Sequence, residues 1–316
     1  MSALVIGAGG IGQHVARRFV GAGIEVTLAS RSGRPPAPWA LDAGEIRAAS
    51  VEASDADALT RLAAGHDVMV IATNPPYTQW RELWPPVARA SIAAAEASGA
   101  RLIMIGNLYP LGTPGAVLTE SSPDAPNGSK GQVRADVWRQ ILDAHRAGRV
   151  RAVEVRASDY FGPGAIAGMS YLNQYAILPA MKGRVARHIM GKVDAPHSWT
   201  FLPDIAQVVV ALALTEGDRA WGRTWITPTA SARSLRDIAE AVATLEGIRP
   251  RTPKPYPAAL KALLRLSPFI RELDEMAPAF ERPYLVDSSD AQRAFGLVPT
   301  PFADALRQTI AWLKTS

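Results

Sequence analysis

Cysteine is absent from the 316 residues, which removes disulfides, thiolate metal sites and cysteine nucleophiles from consideration. Long apolar runs are absent too. The longest clearly apolar stretch, Val208 to Leu214, is far shorter than the roughly 20 residues a bilayer span needs. A basic leader with a cleavage signature is also missing, because Met1 to Ile6 runs straight into a strand pattern. The chain therefore reads as soluble and cytoplasmic, with no membrane partner. No H-E-x-x-H, no clustered His/Asp ligands and no G-x-S-x-G elbow occur, so metal and serine-hydrolase chemistry find no support. Basic runs with interleaved aromatics are lacking as well. The formal charge is +5 and the pI about 9.6, yet 29 acidic residues lie among the basic ones. A local basic site for a phosphorylated ligand explains that excess at least as well as nucleic acid, which is not expected as a partner.

Apolar residues make up 48% and charged ones 20%, the balance of a chain that buries a full core. Aromatics are few, at 7%, but eight are tryptophan. Trp199, Trp221, Trp225 and Trp312 fall in the second half, where they either fill a core or furnish a substrate pocket.

The first half alternates strand and helix signals. A strand at Ala3–Ile6 leads through glycines into a helix from about Ile11, whose Ile11, Val15, Phe19 and Val20 share one face. Strands follow at Ile24–Ala29 and about Ile46–Ala53. Ser54 reads as an N-cap with Asp57 at the third helical position, opening a helix to Gly65. Val68–Ala72 is a continuous apolar strand, Asn74-Pro75-Pro76 breaks the chain, and an alanine-rich helix runs to Gly99. Strands at Arg101–Ile105 and Val150–Val155 flank a helix from about Gln132 to Ala147. This pattern predicts an α/β fold with a doubly wound parallel sheet. Beyond Tyr160 the pattern loosens, although Phe201–Leu214 is helical and Trp221–Pro228 reads as one more strand. The organisation expected is a dinucleotide-binding Rossmann domain over 1–160 plus about 197–228. A smaller, discontinuous substrate lobe takes about 161–196 and 229–316.

Gly7-Ala8-Gly9-Gly10-Ile11-Gly12 fits G-x-G-x-x-G. Its glycines permit the tight turn, the approach of backbone to a pyrophosphate and close helix–strand packing. The helix N-terminus offers free N–H groups to the phosphates. Alone the motif is weak, but here it follows a strand and opens an amphipathic helix. NAD binders usually carry an acidic residue about 20 residues further on, whereas this chain has Ser30-Arg31-Ser32. A carboxylate would repel a 2′-phosphate and Arg31, helped by Arg34, would clamp one. NADP is therefore favoured over NAD.

With the glycine loop and Arg31, several segments resemble the extended or atypical short-chain dehydrogenase/reductase superfamily, the NAD-dependent epimerase/dehydratase-like group. They are Glu52-Ala53-Ser54-Asp55, Val68 to Thr73, Asn107 to Gly112, Arg156 to Pro163, Phe201 to Ala206 and Phe295 to Thr300. The resemblance spans nearly the whole chain. It implies Glu52 and Ala53 near the adenine and Ala72, Thr73 and Asn74 along the ribose and nicotinamide. It also puts the loop from Tyr160 to Pro163 beside the nicotinamide end.

Members of that superfamily typically carry Tyr-x-x-x-Lys after the fifth strand and a Ser or Thr at that strand's end. No Tyr-x-x-x-Lys occurs here. Lys130 stands at the tyrosine position, Arg134 at the lysine position, and the strand ends in Gly106-Asn107. A phenol needs help to exchange a proton at neutral pH, so the usual machinery is missing. Tyr109 is the candidate donor to a substrate oxygen, with Lys130 supplying charge or the proton. Arg134 is the candidate ribose contact, and Asn107 would hold a polar group or water. A packed loop residue or a solvated helix face are the plain alternatives for these positions. His14, His66 and His197 are weaker candidates, since a lone histidine more often serves structure.

Two functions follow. One is an NADP-dependent oxidoreductase, or an epimerase-like enzyme using the cofactor transiently, acting on a small carbonyl or alcohol. The other is a non-catalytic NADP-binding redox sensor or regulator. The small molecule is the expected partner, and a homodimer stays open as an assembly.

Overall fold

The computed structural model describes residues 1–34, 46–165 and 169–315. Strands β1 (Ser2–Ile6), β2 (Glu25–Ser30), β3 (Ile46–Ser50), β4 (Val68–Ile71), β5 (Arg101–Asn107) and β6 (Ala152–Ala157) form one sheet with Thr224–Ile226. The order is β3-β2-β1-β4-β5-β6, with Thr224–Ile226 beyond β6, and every pairing is parallel. Every residue of β4 and of β6 is buried, as expected of strands covered on both faces.

Helices α1 (Gly10–Gly21), α2 (Ala56–Ala63), α3 (Trp80–Ser98) and α4 (Ser129–Arg146) supply that cover with Leu202–Leu214. On one face Val15 and Phe19 of α1 join Ile205 and Val209 against the strands. On the other, Leu59 of α2, Trp84 of α3 and Trp138 and Ile141 of α4 do the same. Chain order reverses between β1 and β4, so their carboxyl ends form the switch point where open α/β sheets bind ligands. A third apolar cluster lies outside the sheet. It joins Phe161, Leu172, Ile177, Trp199, Ile238, Phe280 and Leu306.

Some local expectations are corrected. Asp55, not Ser54, caps α2, because its carboxylate accepts from the Ala58 N–H at 2.9 Å, while the Ser54 hydroxyl donates to Glu52. Helix α4 begins at Ser129, ahead of the expected Gln132. Glu275 explains the early start, accepting from the Lys130 N–H at 2.6 Å and the Ser129 hydroxyl at 3.1 Å. A carboxylate suits a helix N-terminus. Trp199, Trp221 and Trp225 are buried in the cores. No helix among the described residues is long and apolar enough to cross a membrane.

Candidate active site

The glycine loop turns from β1 into α1 at the switch point. Gly7 has φ +113°, and a Cβ there would lie 2.6 Å from the Ala72 carbonyl. A Cβ on Gly12 would lie 1.7 Å from the Gly7 oxygen, and one on Gly10 would lie 2.5 Å from the Gly164 oxygen. These three glycines are required by packing. Gly9 is different, since nothing stands within 4 Å of where its Cβ would be. Gly9 is the N-cap of α1, whose first turn contains no acidic residue, and the first-turn amides and positive dipole end of a helix favour an anion. A diphosphate fits this arrangement.

From the loop the sheet edge runs in two directions. On one side, Ser30 ends β2 and its carbonyl accepts from Val51 N–H at 3.0 Å. The Ser50 hydroxyl donates to the Arg31 carbonyl at 2.9 Å, leaving the Arg31 side chain exposed. Glu52 is exposed here and Ala53 is buried. On the other side a cavity of about 200 Å³ opens. Ile11, Ala72, Thr73, Asn74, Asn107, Tyr109, Arg134 and Tyr160 all line it, so the structure brings together these predicted residues. Its tryptophans are Trp80 and Trp84 of α3, not those of the second half. Tyr77, Tyr171, Phe280 and Tyr284 add to an aromatic wall.

Lys130, Arg134 and Gly106, the three positions that depart from the expected Tyr-x-x-x-Lys and Ser pattern, are tied into buried charge contacts. Lys130 is not among the lining residues. It is 4% exposed, its ammonium is paired with Glu272, and it lies 5.6 Å from the centroid of the Tyr77 ring. Glu272 and Glu275 thus fasten the start of α4 to the C-terminal region. Arg134 donates to the Ile105 carbonyl at 2.7 Å and sits 3.4 Å from Glu154, with its guanidinium 4.1 Å from the Trp84 ring centroid. Burial lowers its pKa to about 10 despite the Glu154 charge. Its Nε and Nη1 have no hydrogen-bond partner among the described residues. The other carboxylate oxygen of Glu154 accepts from Arg156 at 2.6 Å, and Arg156 also reaches Asp124 at 3.1 Å. Glu154 is fully buried, and a Cβ on Gly106 would lie 2.4 Å from its Oε1. A serine at the end of β5 would collide with this charge network.

What polar chemistry the cavity holds comes from elsewhere. The hydroxyls of Tyr77 and Tyr109 share a short hydrogen bond. Burial pushes the pKa of each upward, so both phenols stay protonated as donors. The Asn107 side-chain oxygen accepts from the Tyr109 N–H at 3.2 Å, which fixes the loop and leaves the Asn107 amide group to act. Tyr160 is pushed up to about 12 by burial. Asp159, between β6 and Tyr160, also lines the cavity, and its Oδ2 lies 3.0 Å from Nε2 of His197. Tyr77 lies outside every motif read from the sequence, and Asp159 falls within the Arg156 to Pro163 segment without being singled out, because each reaches the cavity only through loop geometry. His14 and His66 are engaged away from the cavity, with the Pro163 carbonyl at 2.9 Å and the Ser2 hydroxyl at 2.6 Å. No group of three or more metal-ligating side chains occurs among the described residues.

The glycine loop and the cavity thus lie along the carboxyl edge of a Rossmann-like, doubly wound parallel sheet. Residues 7–160 match the family model described as NAD(P)H-binding. Solved structures share the fold over the full length. UDP-glucuronic acid 4-epimerase from Bacillus cereus, in complex with UDP-glucuronic acid and NAD, is 18% identical. It covers 100% of this chain and 99% of its own, with a TM-score of 0.80. UDP-glucose 4-epimerase from Thermotoga maritima, with UDP-glucose, is 14% identical over 100% and 99%, at 0.79. MoeE5, in complex with UDP-glucuronic acid and NAD, is 19% identical over 100% and 99%, at 0.78. No curated protein matches the chain in sequence. The NAD(P)H-binding match over residues 7–160 and the fold shared with these epimerase structures agree with the resemblance read from the sequence segments.

Proposed function

We propose that the protein is an NADP-dependent oxidoreductase, or epimerase-like enzyme, acting on a small, largely apolar carbonyl or alcohol. The observation that carries this reading is a shared edge rather than a shared cavity. Exposed Arg31 follows β2, the opening at Gly9 follows β1, and the aromatic cavity lined by Ile11, Ala72, Thr73 and Tyr109 lies at the ends of β4 and β5. Ser30 and Arg31 would hold the 2′-phosphate, and Gly7, Gly9, Gly10, Ile11 and Gly12 the diphosphate. Glu52 and Ala53 would flank the adenine, and Ala72, Thr73, Asn74, Arg134 and Tyr160 the ribose and nicotinamide. When bound, a nicotinamide supplies or removes a hydride at a carbon of the substrate. Tyr109, backed by Tyr77, would donate to the substrate oxygen, and Asn107 would position a polar group. Lys130, with its ammonium committed to Glu272, would act on the site only by holding α4 in place. We read the segments around the third apolar cluster as the substrate lobe.

Two of the fold neighbours named above are in complex with UDP-glucuronic acid and NAD. The cavity here supports a different substrate. Its walls are mainly aromatic and apolar, and among the described residues that line it only Asp159 and Arg134 have ionisable acid or base side chains of full charge. A substrate diphosphate calls for several cations, so an uncharged carbonyl suits this cavity better than a nucleotide sugar.

The test is calorimetry with NADPH and NADH, followed by NADPH oxidation over a panel of aryl and alkyl aldehydes and ketones. Tighter binding of NADPH with turnover supports the reading. Binding without turnover on any panel member favours the sensor, a reading supported by the missing Tyr-x-x-x-Lys. Absence of binding removes both.

A further inference from the structure

We propose that Asp159 and His197 form the proton store of this site, doing the work that the superfamily's tyrosine and lysine do elsewhere. The proposal rests on the oxidoreductase reading and adds to it the source of the proton.

A proton source is needed because the obvious candidates are poor ones. Tyr77 and Tyr109 are half-buried, and desolvation raises the pKa of both phenols. They donate hydrogen bonds well but part with a proton only at high cost. Lys130 is held by Glu272, and Arg134 by Ile105 and Glu154. Asp159 is the one carboxylic acid among the described residues lining the cavity, and its side chain is 22% exposed.

The geometry behind Asp159 sets how many hydrogens the pair holds. His197 Nδ1 lies 3.2 Å from the Ala279 carbonyl oxygen, which only accepts, so Nδ1 carries a hydrogen. Nε2 lies 3.0 Å from the Asp159 carboxyl. That contact is a hydrogen bond only if a second hydrogen sits between nitrogen and oxygen. The His197 side chain is 3% exposed and stacks on the rings of Phe280, at 4.7 Å and 12°, and Tyr284, at 5.1 Å and 25°. Aromatic faces attract a cation placed against them. Asp159 itself is anchored through its carbonyl, which accepts from Thr200 N–H at 3.0 Å. The charged or titratable groups felt around it are the phenols of Tyr77, Tyr109, Tyr160, Tyr171 and Tyr284. Arg156 faces Tyr284.

The step balances simply. As the carbonyl carbon is reduced by the nicotinamide dinucleotide, its oxygen gains negative charge. The hydrogen bridging Nε2 and Oδ2 passes through Asp159 to that oxygen, forming the O–H bond of the alcohol. The pair is left with its Nδ1 hydrogen alone, and solvent returns the missing proton. Alcohol oxidation runs the same transfer backwards. Asp159 is the catalytic residue in this account and His197 the positioning and proton-holding one.

The test uses the full chain in wild-type, Asp159→Asn and His197→Asn forms. Proton NMR on protein labelled with 15N-histidine counts hydrogens at the His197 ring without any turnover. The expected result at neutral pH is a hydrogen-bonded proton at each ring nitrogen in the wild type, and loss of the Nε2 one in Asp159→Asn. With benzaldehyde and acetophenone as probes, Asp159→Asn should lower kcat by about 100-fold or more, in the range of general acid–base catalysis, while KM and NADPH affinity stay within about threefold. His197→Asn should change the pH profile of kcat rather than only its height, which a packing role would not do. A wild type with one ring hydrogen and no proton bridging Nε2 and the Asp159 carboxyl overturns the proposal, as does an Asp159→Asn enzyme keeping more than a third of kcat. NADPH binding with no oxidation of any probe also overturns it. Absence of NADPH binding removes the oxidoreductase reading itself, and that outcome is recognised by calorimetry alone.

Discussion

Gly106 of β5 and Glu154 of β6 are so close that a Cβ on the glycine would lie 2.4 Å from Glu154 Oε1. The carboxylate cannot swing aside, because Arg134 and Arg156 hold its oxygens at 3.4 Å and 2.6 Å. The glycine, the arginine at the lysine position and the buried glutamate therefore form one unit. Gly106→Ser, which restores the residue type the superfamily uses, should destabilise the protein rather than revive a standard site. Overpacking costs about 1–3 kcal/mol, and uncoupling Glu154 from its arginines would add to that. Urea unfolding measures the loss, and an unchanged midpoint would show that the strands part easily.

The fold was readable because its signals are local. Strand–helix alternation and the glycine loop set the parallel sheet from residues 2 to 157, and the absence of a carboxylate beside Arg31 needed only a count along the chain. The departure at Lys130 and Arg134 was visible as well. Its meaning was not, because the partners Glu272, Glu154 and Trp84 come from distant segments. The same reason hid Asp159. Its histidine is 38 residues away, and no periodicity or motif links them. The early start of α4 was missed since its cap is supplied 145 residues downstream, by Glu275.

Gly7 and Gly9 separate packing from binding. Gly7→Ala combines a φ of +113° with a contact of 2.6 Å to Ala72 backbone, so a loss of at least about 2 kcal/mol is expected. Gly9→Ala places its methyl in open space on a φ of −75°, which any residue adopts. Stability should hold to within about 0.5 kcal/mol, while affinity for NADPH falls tenfold or more because the methyl stands where phosphate approaches. Thermal melts and calorimetry on the two variants check both halves. A Gly9→Ala protein that binds normally would move the diphosphate off this loop.

Arg31 is expected to act on one phosphate only. It is exposed at the end of β2, and a charge-assisted, bidentate contact to a 2′-phosphate is worth roughly 1.5–3 kcal/mol. Arg31→Ala should therefore weaken NADPH by about tenfold or more and leave NADH within about twofold. Parallel titrations decide it, and equal losses for both dinucleotides would take Arg31 out of cofactor selection.

Stability should fall as pH drops below about 6.5, and His14 gives the reason. Burial, which outweighs its bond to the Pro163 carbonyl, lowers the folded-state pKa of His14 beneath the ordinary 6.5. Arg17 lowers it further. Above 6.5 the imidazole is neutral in both folded and unfolded chains and contributes no pH dependence. Below it the unfolded chain takes up a proton that the folded one refuses, so unfolding gains free energy until the folded-state pKa is passed. His66 and His188 are shifted the same way by burial. Asp204 and Glu120 act in the opposite sense, since burial raises their pKa values and the folded chain protonates first. Comparing wild type with His14→Gln isolates the histidine, because glutamine keeps an N–H donor for Pro163. Urea unfolding at pH 7.5, 6.5 and 5.5 should give a smaller loss for the variant. Equal slopes would mean that His14 is protonated in the folded protein as readily as in the unfolded one.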